Sequence, residues 1–288
     1  MRSASGVPAA VVVSGAGSGL GRALVVALAQ GGGRVALCGR TAESLEQTAA
    51  LAVEAGADDV MWQALDVADS EGARKFSAAV AERFGVVGGL VNNAGSLGAI
   101  GPISDVDLDE WGAGLRSNVV GTATMTSVVA PLLASAPQAS IVNVSGAGIG
   151  GSSSPQRVSS YVASKAAIVA LTEVWSRELA PIRVNAVAPG AVDTGFNNRV
   201  LEVGEQRAGT DLVKSVEAQV AAPFPMQPFI DLTLWLLSEQ SAWVSGRLLS
   251  ARWETSQSIE AARPEIENSD LYRLRRADGV LFDAVKKD

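Results

Sequence analysis

The chain contains no histidine. That absence removes every nucleophilic triad built on imidazole and the commonest metal ligand, so no metal site is expected. Any proton relay must run through carboxylates, Tyr, Lys, Ser or water. The single cysteine, Cys38, excludes an internal disulfide framework and points to a reducing, cytoplasmic setting. No apolar run approaches the roughly 20 residues a membrane helix needs. The stretch 7–13 imitates a signal-peptide core, but it is short, weakly preceded by charge and runs straight into glycines, so it reads as a buried strand. There is no long basic run, and the formal net charge is −7. Nucleic acid and anionic membranes both need a cationic face, so neither is expected as a partner.

What is present is apolar surface. Hydrophobic residues make up 48% and charged residues 18% of 288, enough for a sizeable core and too much for global disorder. The length fits one decorated α/β domain. Short β-branched runs at 9–14, 34–38, 60–65, 89–92, 140–144, 183–187 and 246–249 alternate with helical patterns at 20–30, 42–55, 70–84, 108–134, 159–179 and 229–238. This alternation predicts a single doubly wound, Rossmann-type domain over residues 1–253, with a seven-stranded parallel sheet flanked by helices. Residues 254–288 form a polar C-terminal extension with a short helix expected at 270–277. The segment 195–228 breaks the rhythm, ends in Pro223, Pro225 and Pro228, and follows a strand end where open α/β sheets bind ligands; it reads as a mobile substrate lid. Trp175, Trp235 and Trp243 read as core or interface, Cys38 as an inert apolar residue, and Asp105, Asp107, Asp109 and Glu110 as a helix start.

Ser14-Gly15-Ala16-Gly17-Ser18-Gly19-Leu20-Gly21 joins the first strand to the first helix. A glycine-rich string alone is a weak signal. Between a buried strand and a helix, however, it lets the backbone approach a pyrophosphate while the helix N-terminus supplies N–H groups and a positive dipole end. Gly15, Ser18, Gly19, Leu20 and Gly21 are therefore expected to hold a dinucleotide. The second strand ends without the acid that an NAD ribose favours; Arg40 stands there instead, which suits a 2′-phosphate and predicts NADP(H) over NAD(H). Arg22 is a second candidate for that phosphate. Asp66 and Val67, after the third strand, are placed to meet adenine, with helix capping as the alternative use of Asp66.

With Asn92-Asn93-Ala94-Gly95, Asn118, Tyr161-Val-Ala-Ser-Lys165 and Pro189-Gly190, the glycine turn occurs in the order and spacing of the short-chain dehydrogenase/reductase family, which the chain resembles over about residues 8–250. The resemblance implies an NADP-dependent oxidoreductase that interconverts a small-molecule ketone and a secondary alcohol. Tyr161 and Lys165 are an i, i+4 pair, so a helix puts both on one face. A phenol's pKa is about 10, and bringing it near neutrality takes roughly 4 kcal/mol, which a neighbouring ammonium and an oxidised nicotinamide can supply. Tyr161 is then the general acid/base. By resemblance Lys165 also holds the nicotinamide ribose and Asn118 anchors a water relay. The backbone of Asn93, Ala94 and Gly95 flanks the adenosine ribose, and Pro189, Gly190, Val192 and Thr194 face the nicotinamide.

The family's fifth strand usually ends in two serines, the second of which binds the substrate oxygen. Here the string is Val144-Ser145-Gly146-Ala147. One alignment puts Gly146 at the catalytic place and another leaves Ser145 there; the remaining readings are a loop serine among Ser152 to Ser154, or none. The chain also continues past the family's usual end, so tetramer contacts do not carry over directly, and a homodimer or homotetramer is expected. Two other functions fit the same motifs: a dehydratase or epimerase that uses the cofactor transiently, and a catalytically inactive NADP-binding sensor or scaffold.

Overall fold

The computed structural model describes residues 10–146, 148–149, 154–192 and 195–275. Seven strands form one parallel sheet: β1 (Ala10–Ser14), β2 (Arg34–Gly39), β3 (Asp59–Ala64), β4 (Gly89–Asn92), β5 (Ser140–Val144), β6 (Arg183–Ala188) and β7 (Leu248–Ser250). Their spatial order is β3-β2-β1-β4-β5-β6-β7. The first three strands run outward from β1, and β4 returns to its other side, with Val12 beside Ala36 on one flank and Leu90 on the other. The reversal of direction between β1 and β4 opens a crevice beyond the strands' carboxyl ends, where doubly wound sheets bind ligands.

Eleven α-helices are found among the described residues. Those used below are α1 (Gly19–Gln30), α2 (Ala42–Glu54), α3 (Ser70–Phe84), α4 (Leu108–Leu115), α5 (Gly121–Leu133), α6 (Ser159–Glu178), α7 (Gly195–Ala208), α8 (Thr210–Ala221), α9 (Gln227–Leu237), α10 (Ser256–Ala261) and α11 (Arg263–Glu267). Successive strand residues feed opposite layers, as the pleat requires. From β1, Val11 and Val13 join α1, α9 and the C-terminal segment through Leu24, Phe229 and Ile266. Ala10 and Val12 join α3 and α5 through Phe76 and Met125. Each such valine, fully buried, contributes about 1.5–3 kcal/mol. Trp235 lies in the first core, with Trp243 against it, and Trp175 packs against the second.

The structure sharpens two expectations and corrects two. The helix expected over 108–134 is found as one continuous helical run, Leu108–Leu133, in which a π turn, Arg116–Val120, joins α4 to α5; Asn118 within that turn is fully buried. The lid segment contains two helices, α7, kinked at Gly204 (φ 66°), and α8. The C-terminal helices are α10 and α11, and the short helix expected at 270–277 is not found over 270–275; 276–277 lie outside the described residues. Asp66 caps no helix. Its carboxylate closes a tight turn onto the Ala68 N–H at 2.9 Å, and Asp69 caps α3. The acidic cluster does start α4, since Asp107 accepts from the N–H groups of Asp109 and Glu110.

Candidate active site

The glycine turn leaves β1 with Gly15 at φ 64° and enters α1 through Gly19 at φ 50°. A Cβ on Gly15 would lie 2.7 Å from the Cα of Ala94, so only glycine fits where this turn meets the chain leaving β4. Asn93 fastens the two together: its Nδ2 donates to the carbonyls of Ser14 (3.1 Å) and Gly15 (3.0 Å). The Ser14 hydroxyl accepts from the N–H groups of Asn93 and Ala94, both at 3.1 Å. Ser18 begins α1 without any side-chain cap, and the first turn holds no acid. The positive end of α1 is thus open, which fits a pyrophosphate. Arg22 is occupied within the turn, donating to the Gly17 carbonyl and to Thr48 Oγ1 of α2. Arg40, by contrast, is exposed at the end of β2. Cys38, beneath it, is fully buried, and burial pushes its thiol pKa up to about 12.

Tyr161 and Lys165 stand one turn apart at the start of α6, with the Lys165 Nζ 5.7 Å from the centre of the Tyr161 ring. The ammonium is 4% exposed and donates to the Val144 carbonyl at the end of β5, at 2.7 Å. Burial lowers its pKa to about 8. Asn118 accepts from the Ser96 N–H (2.7 Å) and donates to the Ser96 carbonyl and the Ser164 hydroxyl, both at 2.8 Å. Ser164 in turn donates to the Tyr161 carbonyl at 2.7 Å. The π turn is thereby linked to the helix that carries the Tyr–Lys pair. Gly95 lies in the same place: a Cβ there would be 3.4 Å from Asn118 Oδ1 and 3.6 Å from Lys165 Nζ.

Ser145 and Gly146 follow β5. The Ser145 N–H donates to the Val187 carbonyl at 2.8 Å, prolonging the sheet, while its hydroxyl is buried and has no hydrogen-bond partner among the described residues. At Gly146 a Cβ would collide with the Tyr161 hydroxyl and lie 2.9 Å from its Cζ. No serine side chain fits there with Tyr161 as placed. Ser154 donates to the Gly148 carbonyl of its own loop, at 3.2 Å. Ser152, Ser153 and Thr194 lie outside the described residues.

Leu20, Asn93, Ser145, Tyr161, Lys165, Pro189, Gly190 and Val192 all line one cleft of about 1250 Å³. Gly15, Ser18, Gly19, Gly21, Arg40, Asp66, Val67, Ala94, Gly95 and Asn118 lie outside that lining. Two residues beside the site, Phe196 in the cleft wall and Phe224 next to Gly190, have no motif in the sequence. Phe196 of α7 packs on Tyr161 with ring centres 5.9 Å apart. Phe224 covers Gly190 (φ 87°), where a Cβ would come within 2.8 Å of its ring. No helix among the described residues is long and apolar enough to cross a membrane.

A family model described as short chain dehydrogenase matches residues 9–203. The short chain dehydrogenase citE of Monascus ruber is 33% identical over 273 residues, 92% of this chain and 88% of its own length. The 3-oxoacyl-[acyl-carrier-protein] reductase FabG of Thermotoga maritima is 30% identical over 240 residues, 83% of this chain and 94% of its own. Among solved structures, an NAD+-bound xylitol dehydrogenase superposes with a TM-score of 0.74 at 31% identity, covering 84% of this chain and 96% of that one. An actinorhodin polyketide ketoreductase solved with NADPH gives 0.75 at 27% identity, covering 84% and 94%.

Proposed function

The chain belongs to the short-chain dehydrogenase family and is an oxidoreductase whose fold takes a nicotinamide cofactor; on that premise we propose that it interconverts a ketone and a secondary alcohol of a small molecule, using NADP(H). One observation carries this reading: a buried ammonium, Lys165, stands beside Tyr161 on one helix face, in the cleft that Leu20, next to the glycine turn's Gly19, and the exit of β6 also line.

The uncapped start of α1, with Gly15, Ser18, Gly19, Leu20 and Gly21, holds the pyrophosphate. Asn93, Ala94 and Gly95 flank the adenosine ribose, Asp66 and Val67 meet the adenine, and Pro189, Gly190, Val192 and Thr194 face the nicotinamide. Arg40 receives the 2′-phosphate, since its guanidinium is exposed at the end of β2, whereas Arg22 is held within the turn. When bound, the nicotinamide supplies or accepts the hydride at C4. Tyr161 gives its phenolic proton to the substrate oxygen in reduction and removes it in oxidation. Lys165 favours the phenolate through its charge, orients the cofactor ribose, and is itself oriented by the Val144 carbonyl. Asn118 is assigned to the proton relay. Ser145 is assigned as the second donor to the substrate oxygen: the residue lines the cleft, its buried hydroxyl has no partner among the described residues, and position 146 has no room for one. The segment 195–228 serves as the substrate lid. A homodimer or homotetramer in the cytoplasm completes the proposal, supported by exposed Leu108, Val120 and Val174 on α4 to α6 and by the lone buried cysteine.

Incubation with NADPH and a panel of aryl and alkyl ketones tests this reading. Alcohol formed in step with NADPH consumed supports it. Product formed without net consumption assigns the site to a dehydratase or epimerase. Tight NADPH binding with every ketone unreacted assigns it to a sensor.

A further inference from the structure

The outer wall of the cleft is built by two stretches that follow β7. One is 250–254; the other is 272–274 of the C-terminal segment. The second is held there by main-chain contacts to a buried guanidinium. Arg247 donates to the carbonyls of Ser269 (3.0 Å), Leu271 and Ile266, and the Leu248 N–H donates to the Tyr272 carbonyl at 2.7 Å. Arg275 then ties the segment to Glu173 of α6 through two contacts of 2.7 and 2.9 Å. Tyr272, Arg273 and Leu274 are thereby fixed against the same helix that carries Tyr161.

The charge of this cleft opposes that of the chain. Arg157, Lys165, Arg252 and Arg273 line it against Asp211 and Glu254, although the net formal charge of the whole chain is −7. Glu254 is a weak opponent: it accepts from the Ser250 N–H at 2.6 Å, and burial holds its carboxyl above the usual range. Arg252 lies 5.0 Å over the ring of Trp253, which is 75% exposed, and has no carboxylate partner among the described residues. Arg273 meets Asp270 at 3.1 Å through Nη1, while its Nε is buried without a partner among the described residues. These cations stand away from the cofactor's phosphate groups. The glycine turn and Arg40 follow β1 and β2, whereas β7 is the outermost strand on the opposite side of the sheet.

We propose that the substrate carries a carboxylate or another anionic oxygen group, received by Arg252 and Arg273 at the outer end of the cleft while its carbonyl lies at Tyr161. A planar guanidinium fork matches such a group with two parallel hydrogen bonds, and stacking on Trp253 holds the fork in place. The proposal rests on the ketone-reducing reading above.

Calorimetric titration of the NADPH-loaded protein with 4-benzoylbutanoate and with its methyl ester tests the charge preference, whether or not either compound is reduced. The acid is expected to bind at least about tenfold more tightly. That ratio should fall toward unity in Arg252→Ala, which leaves the Arg273–Asp270 contact intact, and further in Arg252→Ala/Arg273→Gln. Equal affinities in the unaltered protein, no binding of the acid, or an acid preference kept in the double variant would overturn the proposal. So would a parallel loss of NADPH affinity, which gives these arginines to the cofactor. Failure of the ketone-reducing reading looks different: the acid binds, but neither compound is turned over.

Discussion

The hydroxyl of Tyr161 rests against the backbone of Gly146, in space that a side chain at 146 would need. A side chain at 146 therefore does not fit beside Tyr161 as placed, and Ser145, one of the readings that the family resemblance leaves open, is the one proposed above.

Gly146→Ser should therefore harm the enzyme, although it restores the residue the family usually has there. The new Cβ meets Tyr161 Cζ at 2.9 Å and Lys165 Cγ at 3.3 Å, and overpacking of this kind costs about 1–3 kcal/mol. Displacing the phenol should lower kcat by about tenfold or more, with NADPH affinity retained. A faster Gly146→Ser enzyme would show that Tyr161 moves aside without cost.

Ser145→Ala separates function from stability. A buried hydroxyl without a partner costs about 1–3 kcal/mol, so its removal should leave the thermal midpoint unchanged or raised. If the hydroxyl is a donor to the substrate oxygen, kcat falls about 100-fold. Unchanged kcat with a raised midpoint would remove Ser145 from the mechanism.

Cofactor choice is assigned to Arg40. Arg40→Ala should raise the Kd of NADPH by about 10- to 100-fold, the worth of a charge-assisted contact to the 2′-phosphate, and leave the Kd of NADH nearly unchanged. Equal losses for the two cofactors would mean that Arg40 acts on the turn and not on the phosphate.

Lys165 is expected to be held against the protein's own stability. Its pKa is lowered from 10.5 to about 8 by burial. Below pH 8 the ammonium is charged in both folded and unfolded chains, and the folded state carries the full desolvation cost, roughly 3 kcal/mol from the difference between the two pKa values. Between pH 8 and 10.5 the unfolded chain binds the extra proton, so stability rises with pH and the cost fades. Urea unfolding of Lys165→Met without cofactor should show a variant more stable than the parent by about 1–3 kcal/mol at pH 7, and the gap should close as the pH approaches 10.5. A variant less stable at pH 7 would contradict the burial argument.

Periodicity and glycine placement made the sheet, its seven strands and the Tyr–Lys face legible, because each depends on residues adjacent in sequence. The π turn at Arg116–Val120 has no local mark in the sequence, and the contact that Asn118 makes from it reaches Ser96, 22 residues away. The contact of Phe224 with Gly190 and the return of Tyr272 and Arg273 to the cleft were likewise out of reach, because tertiary packing sets them and no local signal does. The crowding at Gly146 depends on where Tyr161 arrives from a helix 15 positions along the chain.

The central claim is that Tyr161 moves the proton. Single-turnover kinetics of Tyr161→Phe with bound NADPH and a ketone that the parent enzyme reduces tests it most directly. The account predicts a rate at least about 1000-fold lower with NADPH Kd within about twofold of the parent's. Hydride transfer at an undiminished rate would contradict it.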